Sequence, residues 1–211
     1  MKTRIPTPLS LLITVVYLGL YSLSATALTK QQRDIPILFI EQKHVETPVL
    51  SNIRRTPETS GLDGTQLGIN DNNTSGRFTG DNYQLKAILV NDDSEAAAAA
   101  RAWIKDGNAF IVAKLPAAAL LKLSRDENIA KHAILFNILA KDDALRRSQC
   151  RPRLLHTIPS RAMLTGGLAQ FLMSKRWKKW LLLRGQRVED KLFSAALKRS
   201  AHRFGANIII L

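Results

Sequence analysis

Cysteine is nearly absent from this chain. Cys150 is the single one, so no intramolecular disulfide can form and a disulfide-framed secreted domain is excluded. Glycine-rich phosphate loops are missing as well. The turn after the first expected strand, EQKHVETPVLS, carries neither G-x-G-x-x-G nor G-x-x-x-x-G-K-[ST], which argues against a Rossmann dehydrogenase or a P-loop enzyme. No G-x-S-x-G elbow occurs either. The four histidines, His44, His132, His156 and His202, show no H-x-x-x-H pairing and have no cysteine pair beside them, so no metal and no cofactor is expected. DNNTSG (71–76) is rich in oxygen ligands but lacks the spacing of a calcium loop and its distal glutamate.

Acidic residues are scarce in one half only. From Lys141 onward the chain carries 16 Lys and Arg against 4 Asp and Glu, whereas residues 28–140 are close to neutral. Apart from the N-terminus, no segment is long and apolar enough to span a bilayer. At that end, Lys2 and Arg4 precede LSLLITVVYLGLYSLSATA, whose Ala25 and Ala27 have the A-x-A spacing of a secretory signal cleaved after Ala27. Export to a bacterial periplasm is the expectation, and a lone cysteine suits that compartment better than a disulfide-dense one.

The whole chain is 45% apolar and 23% charged, an ordinary globular composition able to bury a core. Compact apolar runs at IPILFIE (35–41), YQLKAILV (83–90), AFIVAKL (109–115), HAILFNILA (132–140), RLLHTIP (153–159), KWLLLRG (179–185) and NIIIL (207–211) predict seven strands. Between them lie helical signals. A modest one covers residues 61–69 and gives way to a polar loop. Residues 94–106 follow the capping oxygens of Asp92 and Asp93, Pro116 opens a first turn, Ser160 caps a Leu/Phe-periodic stretch, and Glu189 and Asp190 begin a helix ending at Gly205. Strands alternating with helices of this length predict βαβ crossovers and hence an α/β doubly wound parallel sheet.

Five stretches carry a resemblance: GLDGTQLGINDNN, NAFIVAKLPAAALLKL, HAILFNILAKDDALR, LLHTIPSRAMLTGGLAQFLMSKRWKKWLLL and VEDKLFSAALKRSAHRFGANIII. Their order resembles the type I periplasmic solute-binding proteins of ABC importers, the branched-chain amino acid receptor-like group. HTIPSRAM and DNNTSGRFTG are the most specific parts of the resemblance, whose closest likeness is to the subgroup associated with pyrroloquinoline quinone dependent alcohol oxidation.

The resemblance implies a non-enzymatic, two-lobed clamshell that captures a small molecule and hands it to a membrane permease. Beyond the signal read over 1–27, it implies an incomplete first lobe over 28–175 and the start of a second lobe over 176–211. Such receptors need more than 211 residues, so the expectation is a truncated form. Cleft residues in such a fold come from loops after the strands, which points to Glu41, Gln42, Lys114, Leu115, Asn137, Ala140, Ser160 and Arg161. The chain departs from amino acid receptors after the third strand, where KLPAAA replaces their hydroxyl side chains and Pro116 removes an amide donor.

Two other readings stay open. A small exported α/β enzyme would use Cys150 or His156. Polyanion binding would use Lys175, Arg176, Lys178 and Lys179, interleaved with Trp177 and Trp180, although nucleic acid itself is not an expected partner.

Overall fold

The structure is a computed structural model and describes residues 32–43, 57 and 59–210. The signal segment, its cleavage point and His44 lie outside the described residues.

Strands β1 (Arg33–Gln42), β2 (Asp81–Val90), β3 (Phe110–Lys114), β4 (Ile134–Asn137) and β5 (Leu154–His156) form one sheet in the order β2-β1-β3-β4-β5. Pairings β1–β3, β3–β4 and β4–β5 are parallel. β2 runs the same way as β1: at one end Asn82 bonds Asp34 at 2.7 Å, and at the other the Lys43 amide donates to Val90 at 2.9 Å. The predicted parallel α/β sheet is therefore present.

Burial explains why β1 reads as an unbroken apolar run. Leu38 and Ile40 point to one face of the sheet and Phe39 to the other, and all three are buried, as in a parallel strand covered on both sides. On one face Leu38, Ile40, Ile111, Ala113 and Leu135 pack with residues of helices α2 (Asp93–Lys105), α3 (Ala117–Arg125) and α4 (Glu127–His132). The alanine run makes α2 narrow enough to lie close. Ala96 and Ala100 are buried beneath it, and Asp92 caps it by accepting from the Ser94 and Glu95 amides.

Two expectations were too short or too long. Helix α1 (Leu62–Thr79) runs straight through the asparagines read as a loop. Asn72 and Thr74 bond back to the carbonyls of Gly68 and Asn70, while Asn73 leaves the helix to donate to the Tyr83 carbonyl at 2.9 Å and accept from its amide at 2.7 Å. Local loop preference yields to that anchorage on β2. Conversely, HAILFNILA is not one strand. His132 ends α4, whose cap Asp126 was not anticipated, and Asn137 turns the chain after four residues.

After β5, helix α5 (Arg161–Ser174) leads to β6 (Lys179–Leu182), α6 (Val188–Phe204) and β7 (Asn207–Ile210). β6 and β7 form a separate parallel pair. Ala169, Leu172 and Met173 of α5 pack with Trp180, Ala201 and Ile208 in its core, so the packing groups α5 with the second sheet. On the outer face of that pair Leu181 and Ile209 are exposed.

Candidate functional site

In an open parallel sheet, ligands bind beyond the carboxyl ends of the strands where the strand order reverses. Here that switch point lies between β1 and β3, since β2 follows β1 on one side and β4 and β5 follow β3 on the other. The last register pair across it is Glu41 with Lys114. Their side chains form an ion pair at 2.5 Å, each about four-fifths buried. The sheet thus delivers two opposite charges to the place where a ligand would sit.

Helix α1 closes over the pair from one end. Gly61 precedes its first turn with φ 98°, a left-handed conformation that glycine adopts without strain. A Cβ there would lie 3.3 Å from both the Lys114 stem and the Ile138 side chain, so the glycine lets the positive end of α1 rest directly on the strand ends. Gln42 adds an amide at the same edge. Its Nε2 reaches the Asn91 carbonyl at 3.5 Å, and its Oε1 is buried without a partner among the described residues.

The other predicted residues are placed elsewhere in the architecture. Leu115 and Ala140 are buried in the first core. Asn137 is fully buried and committed to its own turn: Oδ1 accepts from the Leu139 and Ala140 amides, and Nδ2 meets the Ala140 carbonyl at 2.7 Å and His156 Nδ1 at 2.9 Å. Ser160 caps α5 by accepting from the Met163 amide at 3.3 Å. Arg161 lies under the surface between Asp142, at 3.0 Å, and Glu189. Glu41 and Lys114 are brought together, and Gln42 turns toward Asn91 at the β2 edge, while Leu115, Asn137, Ala140, Ser160 and Arg161 are held by packing, turn and cap contacts.

Sequence reasoning missed Gly61 and the acidic partners of Arg161. Asp143 is one more of the same group: its carboxylate accepts from the Ala162 amide at 2.8 Å and pairs with Arg199 at 2.8 Å, so two adjacent aspartates grip the start of α5 and the middle of α6. The doublet Asp142–Asp143 stands out in a basic segment, and that contrast was the available signal.

Burial pulls the Arg161 guanidinium down, but its bonds to Glu189 and Asp142 outweigh this and hold it above the usual arginine value. His156 is shifted the other way. Burial first, and the nearby Arg146 charge second, lower it from the ordinary imidazole value, against a backbone contact at Leu145 that raises it. Its ring is tied to Asn137, and among the described residues no carboxylate bonds to it. Cys150 is exposed. Among the described residues no cluster of His, Cys, Asp and Glu is arranged to hold a metal ion, and no helix is long and apolar enough to cross a membrane.

Comparison with known proteins finds the same architecture. A leucine-, isoleucine-, valine-, threonine- and alanine-binding protein from Brucella ovis superposes with TM-score 0.61 at 17% identity, covering 84% of this chain and 46% of that one. A periplasmic binding protein from Burkholderia mallei gives TM-score 0.55 at 18% identity, over 84% and 45%. An ABC transporter solute-binding protein from Rhodopseudomonas palustris, in complex with 3,4-dihydroxybenzoic acid, gives 0.53 at 15%, over 84% and 46%. The chain spans about half the length of these proteins. No family model matches it, and no curated protein does.

Proposed function

We propose that this chain is the first part of a two-lobed periplasmic solute-binding subunit of an ABC importer. It would be exported by its signal, without enzymatic activity, and would capture a small molecule for delivery to a membrane permease. The observation that carries the reading is the switch point between β1 and β3, where Glu41 and Lys114 pair and the start of α1 rests against Lys114. Support comes from neighbours of the same fold that bind solutes, and from a second parallel sheet that begins after β5. Ligand identity is not carried by the fold, because those neighbours take ligands as different as leucine and a dihydroxybenzoate.

The finer assignment, a solute connected with alcohol oxidation, rests on the HTIPSRAM and DNNTSGRFTG resemblance.

The experiment is to read the DNA downstream of the Leu211 codon and to sequence the N-terminus of the protein released by osmotic shock. A frame continuing into further βα units, with Leu28 as the mature N-terminus, is the expected result. Unrelated sequence after a genuine stop, or retention in the cytoplasm, sinks the reading.

One observation favours a second reading. Trp177 is 59% exposed among the four exposed cations Lys175, Arg176, Lys178 and Lys179, whereas Trp180 turns into the core. Such a tract suits a polyanion or an anionic surface, and its mark would be retention on heparin that falls steeply with salt.

A further inference from the structure

β6 and β7 are parallel neighbours, so the turns that lead into them lie side by side at the same end of the pair. The turn out of α5 brings Lys175, Arg176, Lys178 and Lys179 to that end, and the last turn of α6 brings Arg203. The two turns touch, since the Asn207 amide donates to the Lys178 carbonyl at 2.8 Å. All five cations are exposed. No Asp or Glu occurs in residues 171–182 or 195–210. None of the five forms an ion pair among the described residues, whereas Arg199, one turn earlier on α6, is taken up by Asp143 at 2.8 Å. One end of the second sheet is therefore charged with a single sign.

The backbone holds this display in place. Arg176 has φ 61°, the left-handed conformation that commonly ends a helix on glycine, and the turn out of α6 does use a glycine, Gly205, at φ 71°. An arginine there carries steric strain that glycine would avoid. Its amide bonds the Met173 carbonyl at 2.8 Å, and Trp180 Nε1 fastens the next residue by donating to the Trp177 carbonyl at 2.6 Å. The turn is a platform anchored on the core.

Two aromatic rings stand among the charges. Trp177 is 59% exposed, and Phe171, 55% exposed, lies one turn before Lys175, whose Nζ sits 5.8 Å from its ring centre. A sulfated or phosphate polymer would satisfy the cations and leave this apolar area in water. A bilayer interface takes up both, because indole rings settle at the headgroup level and Lys and Arg beside them attract anionic headgroups.

We propose that this end of the second sheet docks on an anionic phospholipid bilayer, with Trp177 entering the headgroup layer and the five cations facing lipid phosphates. The proposal rests on the second reading above, that the tract binds anionic partners, and commits it to a lipid surface.

The test uses residues 28–211, which keep every described element, with vesicles of phosphatidylcholine alone or mixed two to one with phosphatidylglycerol. Sedimentation with the mixed vesicles and not with phosphatidylcholine is expected, with a blue shift of tryptophan emission. One Lys or Arg near an anionic surface tightens binding roughly five-fold, so Lys178→Gln combined with Lys179→Gln should weaken it about 25-fold. Trp177→Ala should weaken vesicle binding several-fold and remove the blue shift, while leaving retention on heparin unchanged. The proposal is overturned if Trp177→Ala binds the vesicles as the wild type does, or if phosphatidylcholine alone is bound equally. Retention on heparin or on oligothymidylate without vesicle binding also overturns it and leaves the second reading standing. Failure to bind any of the three at low salt sinks both.

Discussion

Arg161 Nη2 donates to both carboxylate oxygens of Glu189, at 2.8 and 2.7 Å, while Nη1 pairs with Asp142 at 3.0 Å. One side chain therefore joins the loop after β4 to the first turn of α6, and fixes how the second sheet begins relative to the first. The partners are unequal. The Arg161 side chain is 7% exposed and that of Glu189 is 66% exposed, so the arginine has far more to lose. Arg161→Met should cost about 2 kcal/mol in urea denaturation, the scale of hydrogen bonds to charged groups, and Glu189→Gln under about 1 kcal/mol. A double variant whose loss equals the plain sum would show that the two side chains act independently.

Lys114→Met leaves the Glu41 carboxylate four-fifths buried and alone at the switch point. The expected loss is about 2 kcal/mol, because removing one partner of a buried pair leaves the other charge uncompensated. Adding Glu41→Gln should return most of it. Calorimetric melting of the two variants against wild type checks this, and a double variant no more stable than Lys114→Met would mean that the stem of Lys114 against Gly61 matters more than its charge.

His156 gives stability a pH dependence with a definite sign. Its folded-state value lies below the ordinary 6.5, so as pH falls the unfolded chain takes up the proton first. The contribution is whole above about pH 6.5 and is lost progressively as pH drops below it. Urea midpoints measured from pH 7 downward should decline for the wild type and stay flatter for His156→Gln over that first interval. Asp126 titrates lower. Burial raises its carboxyl, but the Arg101 bond and the α4 amides outweigh this and hold it below 3.8, so its contribution persists in both proteins until more acid conditions.

Two glycines of α1 should respond to alanine in opposite directions. At Gly76 a Cβ would sit 2.1 Å from the Asp81 carbonyl oxygen, an impossible contact with backbone. Gly76→Ala should therefore shift α1 off β2 and destabilise by about 1–3 kcal/mol. At Gly68 nothing lies within 4 Å, and alanine should stabilise by roughly 0.5–1 kcal/mol through helix propensity alone. Thermal midpoints of the two variants decide it.

The strands, the α2 cap at Asp92 and the parallel sheet were legible because each is written locally, in apolar runs and capping residues a few positions apart. Glu41 and Lys114 were each found as the ends of strands, yet their pairing was not, since no local pattern says that β1 neighbours β3. The partners of Arg161 were hidden for the same reason: Asp142 and Glu189 lie 19 and 28 positions away, on opposite sides. The true length of α1 was hidden by asparagines whose anchorage on Tyr83 is tertiary. Asn137 presented a polar side chain at a strand end, where ligand contact and turn stabilisation look alike in one dimension.

Time is a further quantity that this topology sets. Glu41 and Lys114 stand 73 residues apart, so at a synthesis rate of roughly 5–20 residues per second β1 waits about 4 to 15 seconds for its inner neighbour to emerge. Closing that long loop is itself slow, because its entropy is spent before the contacts form. During the wait the run Leu38–Phe39–Ile40 has only β2 beside it, and the sheet cannot lock. For a chain proposed to leave the cytoplasm through a narrow translocation pore, such delay postpones the fold that would bar threading.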